Sequence, residues 1–370
     1  MTEGENKAKR YAAIKNRLAL IEPLYVLFFL AALQTSGVSR NIKFFSFNIS
    51  SNFYGAVIIY AILFSLIYYA AMFCLNLYRG FIVEHNFGLS NQTMSDWLKE
   101  EVKKGILSLI MFIIFIEFLY LFMFNSPEFW WIFMAMGSIL FTIILAKIFP
   151  ILILPLFFKF EKIGDNELGK KLTQLAARCG IKILDIFKVQ LSAKTKKANA
   201  ALVGIGKTRR VLLGDTLIKD YSSDEIEVVL AHELAHHKLG HMWKLLSFSA
   251  LSTVAVFFFV NLLSTRITGI LNVEAIEDLT AFPSILFIIS LFGVFLNPLQ
   301  NTFSRRLESA ADMLSLKMTR LPDAFISCMD KLSKQNLSDP NPSKFIETVL
   351  YDHPPVSRRI KMAEEFKNIK

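Results

Sequence analysis

Six apolar runs, near residues 18–36, 55–78, 105–124, 129–157, 246–263 and 282–303, constrain this chain more than any other feature. At 1.5 Å per residue, about 20 helical residues cross the hydrocarbon core of a bilayer, and each run has roughly that length. Within that core the backbone polar groups must be paired inside each segment, so runs of this kind fold as spanning helices. One large soluble domain of buried helices is a poor fit, because 54% of the residues are hydrophobic and only 19% charged. Pro150 and Pro155 stand inside the fourth run, where each removes a helical hydrogen bond, so a short seventh segment stays open. The expected fold is mainly α, a polytopic membrane protein of six to seven transmembrane helices.

Charge placement gives these helices a direction. Lys7, Lys9, Arg10, Lys15 and Arg17 precede the first run, and no small-residue cleavage site follows it, so the N-terminus reads as a cytoplasmic anchor. Loops 79–104, 158–245 and 304–370 then lie inside and carry most of the lysine and arginine. Loops 37–54, 125–128 and 264–281 lie outside with few, and the last holds Glu274, Glu277 and Asp278. The positive-inside rule accounts for the net charge of +10, and no nucleic-acid partner is needed. Cys74, Cys179 and Cys328 are scattered and odd in number, which suits reduced structural thiols better than disulfides or a thiolate metal site.

The runs divide the chain into four spans over 1–157, a cytosolic lobe over 158–245, two further spans over 246–303 and a C-terminal cytosolic segment over 304–370. In the lobe, Asp165–Gly180 reads as an amphipathic helix closed by a glycine. ILDIFKVQLS and RRVLLGDTLI read as short strands around Lys194–Lys207. Ser223, Asp224, Glu225 and Glu227 start a helix whose apolar face runs through EIEVVLAHELAHH.

That helix carries chemistry. His232 and His236 are four apart and share a face, a spacing at which two neutral imidazoles can hold zinc while Glu233 takes a proton from an attacking water. A third protein ligand is required. On a continuous helix His241 lies nine residues from His232, about 180° away, and it misses the metzincin spacing; His237 also leaves the ligand face. Both read as surface or packing residues. Glu308, in SRRLESAAD, is the better third ligand, with Asp312 one turn on and able to accept the free ring N–H of a zinc histidine. By spacing alone, Arg305, Arg306, Glu308 and Asp312 could equally decorate a juxtamembrane helix. His353, in YDHPPVSRR, is either a turn residue or a donor to the oxyanion of an attacked carbonyl.

HELAHHKLGH, SRRLESAAD and DHPPVSRR, in this order and with these spans between them, resemble the Ste24-type CaaX prenyl proteases of the M48 metallopeptidases. EHNFGLSNQT at 84–93 and NAALVGIGKTRRVLLGDTL from Asn199 extend the likeness over about residues 75 to 365. The resemblance implies one zinc ion per chain on His232, His236 and Glu308, with Glu233 as general base. It also implies Asp312 as partner of a zinc histidine or proton donor, His353 in transition-state stabilisation, and Asn199 on an edge strand that pairs with an extended substrate. The implied fold is a ring of tilted helices around an intramembrane chamber, beside a small cytosolic α+β zinc-protease lobe. Glu117 and Lys147, at membrane depth, suit a water-filled interior, although Lys147 could also snorkel from its span's end. The chain is shorter than eukaryotic members, and six runs are clear where the family has seven.

The expected activity is that of a membrane zinc metalloendopeptidase removing the C-terminal tripeptide of prenylated CaaX substrates. A quality-control protease for unprenylated membrane proteins is the alternative, and a zinc-stabilised scaffold without activity a second. Glu233 speaks against the scaffold, since structural zinc needs no base. The expected partners are a peptide or protein substrate and the bilayer, with the chain a monomer. A prokaryotic inner membrane is the expected location, or the endoplasmic reticulum membrane in a eukaryote, with the site on the cytosolic side.

Overall fold

The computed structural model describes residues 3–164, 167–178, 180–181, 185–204, 210–271, 273 and 275–368. Cys179, Glu274, the predicted helix start at Asp165 and residues 205–209 around Lys207 lie outside them.

Every apolar run lies on a helix. These are α1 (Glu3–Thr35), α3 (Phe53–Leu77), α5 (Met94–Asn125), α6 (Trp130–Ile148), α11 (His241–Leu271) and α12 (Phe282–Thr319). With their continuations they are the six described helices long and apolar enough to cross a membrane. The 12-residue α2 (Val38–Ile49) lies between α1 and α3 and is too short to cross. Pro150 does not divide the fourth run: it sits in a π-helical turn, Phe149–Ile153, that leads straight into α7 (Leu154–Phe157). The wider turn accommodates the missing N–H, so no separate seventh span forms there.

The six helices close on themselves. α1 meets α3 where Tyr25 donates to the Ala71 carbonyl and Phe29 stacks edge-on with Tyr68. α3 packs on α5, α5 on α6, α6 on α11, α11 on α12, and α12 returns to α1. One end of the ring is filled by a core of Tyr60, Phe64, Tyr120, Trp130, Phe257 and Phe282. Beyond it, stretches 19–29, 65–71, 98–115, 136–149, 242–256 and 289–300 hold no buried residue on any face. A solid bundle would bury one face of each helix at crystal-like density, so these helices stand around a hollow.

The lobe covers the other end. α3 runs through a π-turn into α4 (Val83–Asn86), and the loop that follows pairs with the lobe: Asn91 N–H donates to Lys194 C=O and Lys196 N–H to Leu89 C=O, both at 2.9 Å. Glu84 draws three elements together, accepting from Tyr11 at 2.7 Å, Lys15 at 3.0 Å and Lys197 at 2.8 Å. The sheet has four strands, β1 (Phe160–Lys162), β2 (Asp185–Val189), β3 (Ala200–Val203) and β4 (Arg210–Gly214), in the order β1-β2-β4-β3. β2 and β4 are the two strands read from sequence. β2 and β4 run parallel, the other pairs are antiparallel, and β3 lies at an edge.

Helices α8 (Glu167–Arg178), α10 (Ser223–Lys238) and α13 (Pro322–Asn336) cover the sheet over a core that includes Leu175, Val211, Leu213, Leu230 and Phe325. The short α9 (Asp215–Asp220) joins β4 to α10, and α14 (Lys344–Leu350) and α15 (Val356–Asn368) end the chain. α10 starts with a capping box in which Ser222 and Glu225 satisfy each other's backbone N–H. It packs against α12, and this contact brings the two sequence-distant halves of the site together.

Candidate metal centre

The helical rise of α10 stacks His232 and His236 with their Nε2 atoms 3.0 Å apart. Glu308, on α12, places Oε2 3.2 Å from His232 Nε2 and Oε1 3.2 Å from His236 Nε2. The three ligating atoms lie within 4.8 Å of one another. Glu308 Oε2 is buried with no hydrogen-bond donor, a costly state for a carboxylate oxygen unless a cation meets it. Two imidazole nitrogens and one carboxylate converging on a single point are a donor set that suits zinc and leaves a fourth position open.

Each histidine is braced from behind. His232 Nδ1 lies 2.8 Å from Asp312 Oδ1, although this contact falls short of hydrogen-bond alignment. Asp312 is wholly buried, and Arg359 of α15 grips it in a two-point pair at 2.7 and 2.6 Å. Burial lowers the pKa of His232, but Asp312 and Glu308 together outweigh it and hold it up at about 10. His236 turns Nδ1 to Nδ1 of His241 at 3.0 Å. The sequence reading of His241 as a surface or packing residue assumed one continuous helix. α10 instead ends at Lys238, Gly240 takes a left-handed φ of 65°, and His241 starts α11, buried and folded back onto His236. His237 lies half-buried in the wall beside it.

Glu233 faces the sheet: Leu202 N–H of β3 donates to its Oε2 at 3.0 Å. Between α14 and α15, His353 places Nδ1 2.8 Å from Asp352 Oδ1 and Nε2 3.2 Å from Glu308 Oε2. Burial lowers its pKa, and the Asp352 and Glu308 carboxylates raise it further than burial lowers it. Asn199 immediately precedes β3, with its carbonyl taken by Gly214 N–H. Two cavities meet at His232, Glu233 and His353. One, of about 360 Å³, runs past Asn199 and Ala200. The other, of about 400 Å³, has a largely apolar wall that includes Ala146, Leu202, Met242 and Leu245.

The structure thus gathers His232, Glu233, His236, Glu308, Asp312 and His353, with Asn199 lining the adjoining cavity. Sequence reasoning missed Arg359, although it stands in the quoted stretch DHPPVSRR, and missed His241, where Gly240 was the available signal of a helix break. The Leu202 N–H carries no side-chain signal at all.

More than half of the chain, residues 162–367, matches the sequence profile of peptidase family M48. The chain belongs to that family. Its residues 2–159 match the profile described as the CAAX prenyl protease N-terminal region with five membrane helices. This M48 chain is 27% identical to the uncharacterized metalloprotease YhfN of Bacillus subtilis, over 98% of this chain and 85% of the relative. It is 29% identical to CAAX prenyl protease 1 of Saccharomyces cerevisiae, over 77% of this chain and 67% of that protein. The crystal structure of S. mikatae Ste24p superposes with a TM-score of 0.88 at 22% identity, covering 98% of this chain and 89% of the other, and shares its fold. The M48 chain is accordingly a membrane-embedded zinc metalloprotease with the fold of Ste24p.

Proposed function

We propose that His232, His236 and Glu308 hold one zinc ion and that the enzyme removes the C-terminal tripeptide of prenylated CaaX substrates. The observation that carries this reading is the position of Glu233, pinned by a backbone donor of an edge strand beside the converged histidines and carboxylate. Zinc, when bound, supplies the Lewis acidity that polarises a scissile carbonyl and makes water a nucleophile near neutral pH. Glu233 accepts a proton from the attacking water on its carboxylate and delivers it to the leaving amine nitrogen. His353 donates from Nε2 to the carbonyl oxygen as negative charge develops there. Asp312, with both oxygens held by Arg359, orients His232 rather than moving a proton. His241 fixes the tautomer of His236.

The substrate enters as an added strand on β3, beside Asn199. The apolar cavity that includes Ala146, Met242 and Leu245, and the hollow beyond it, suit the lipid on the modified cysteine. The yeast relative's name supports a prenylated substrate. A protease for unprenylated membrane proteins is the second reading, and the B. subtilis relative, alike over nearly the whole chain, carries no substrate in its name. A scaffold without activity has no use for the placement of Glu233. The basic inside loops support a lobe on the cytosolic side of the membrane, a prokaryotic inner membrane or, in a eukaryote, that of the endoplasmic reticulum. A matched pair of CaaX peptides, farnesylated and unmodified, decides between the two enzymes. Cleavage of the farnesylated peptide alone supports the prenyl protease, and equal cleavage of both overturns it in favour of the broader protease.

A further inference from the structure

Asn297, Asn301, Arg305, Glu308 and Asp312 follow one another at intervals of four, four, three and four, so they stand in one stripe along α12. Glu308 and Asp312 meet His232 of α10. The other three meet the end of α14. Asn301 and Asn297 donate to the Val349 carbonyl at 2.7 and 3.3 Å. One terminal nitrogen of Arg305 donates to the carbonyls of Glu347 and Tyr351, at 2.7 and 2.5 Å. The last turn of a helix leaves carbonyls without helical donors, and a cation is favoured beside them. Arg305 is itself held: its other terminal nitrogen donates to Thr302 Oγ1 at 2.7 Å, and its side chain is only 11% exposed. Tyr351 stands two residues before His353, and the turn between them has little slack. His353 and Pro354 each precede a proline, which confines their backbone to extended conformations. Both prolines are buried, and the Pro355 carbonyl accepts Arg358 N–H at 3.0 Å where α15 starts.

We propose that Arg305 is a positioning residue for His353: by holding the Tyr351 carbonyl it sets how far His353 Nε2 stands from the metal site. Arg305 and Glu308 are neighbours on one helix face, their Cβ atoms about 5–6 Å apart. One rigid stretch of α12 therefore fixes both the third ligand and the imidazole that faces it at 3.2 Å. A guanidinium suits this task because it is planar, permanently charged and able to serve several acceptors at once. A shift of about 1 Å at His353 takes its N–H out of reach of a carbonyl oxygen on which charge develops. The loss then falls on turnover and not on substrate binding. This deepens the reading of His353 as the donor to that oxygen and rests on it.

Amide hydrogen exchange on the zinc-loaded full chain reads the positioning without turnover. In Arg305→Ala the amides of Tyr351, Asp352 and His353 exchange at least roughly tenfold faster, the effect of lost hydrogen bonds to a charged group. Arg306→Gln, which removes the exposed cation next in the chain, leaves them as they were. Turnover of a farnesylated CaaX peptide is then measured in a cycle with His353→Ala. Arg305→Ala lowers kcat by roughly 10–100-fold with KM and zinc content kept, and has no further effect once His353 is replaced. Arg305→Lys keeps the charge without the fork, recovers part of the protection and of kcat, and serves in the cycle if Arg305→Ala does not fold. Unchanged exchange in Arg305→Ala overturns the proposal. So does a loss of kcat that is equally large with His353 already replaced, or a loss confined to KM or to zinc content. Faster exchange at residues 351–353, with a kcat that His353→Ala leaves unchanged, keeps the positioning role and removes the reading of His353 as the oxyanion donor. The exchange measurement stands whether or not this peptide is a substrate.

Discussion

Arg359 reaches the metal centre through two intermediaries, Asp312 and His232, and this chain of contacts has measurable consequences. Asp312 is wholly buried, so Arg359→Gln leaves a carboxylate without its counter-charge and lowers stability by about 3–5 kcal/mol. Zinc affinity falls with it by roughly 10–100-fold, because Asp312, which orients His232, loses the two-point hold that fixes it. Thermal unfolding and a competitive zinc titration measure the two effects, and Arg359→Lys, without the planar fork, recovers only part of either. His241→Ala separates orientation from folding: it lowers zinc affinity by roughly 10–100-fold and shifts the visible spectrum of the cobalt-substituted protein, while the helical circular dichroism stays as it was. Spacing on a helix identified His232, Glu233 and His236, because four residues is a property of the helix itself. It placed His241 wrongly, because one left-handed glycine between two helices redirects everything after it. No spacing rule spans the 47 residues from Asp312 to Arg359.

At the scale of the element, α10 holds its histidines in place only as firmly as its first turn is fixed. Glu225 is buried there, accepting from Ser222 N–H at 2.7 Å, Ser327 at 2.6 Å and Lys331 at 2.8 Å. Burial raises its pKa, but Lys331, Ser327 and the backbone lower it further, to below the ordinary 4.5. The folded protein therefore releases a proton that the unfolded chain retains, and the resulting stability is complete above about pH 4.5 and fades as pH falls through the lower folded value. Glu225→Gln lowers stability by about 1 kcal/mol at neutral pH, and the difference from the unsubstituted protein shrinks on acidification in melts taken at successive pH values. The helix start was legible from its serine and acidic residues, and β2 and β4 from their apolar content. β1 was not, because three residues carry too little pattern, and β3, expected only through the resemblance as an edge strand at Asn199, owes its pairing to β4.

At the scale of the molecule, six helices leave a hollow with a filled far end, and the lobe brings the metal centre to its other end. The apolar runs and the charge asymmetry made the number of long helices readable from sequence, with only the effect of Pro150 left open. Ring closure was not readable, because it depends on which helices touch, and α1 meeting α12 is a contact between opposite ends of the chain. The central claim is that Glu233 performs the proton transfer in a zinc site built by His232, His236 and Glu308. Zinc content and farnesylated-peptide cleavage measured together on the unsubstituted protein and on Glu233→Gln test it most directly. About one zinc per chain is expected in both, with release of a C-terminal tripeptide only by the unsubstituted protein. Equal turnover by the two proteins, or loss of zinc from the variant, would contradict it.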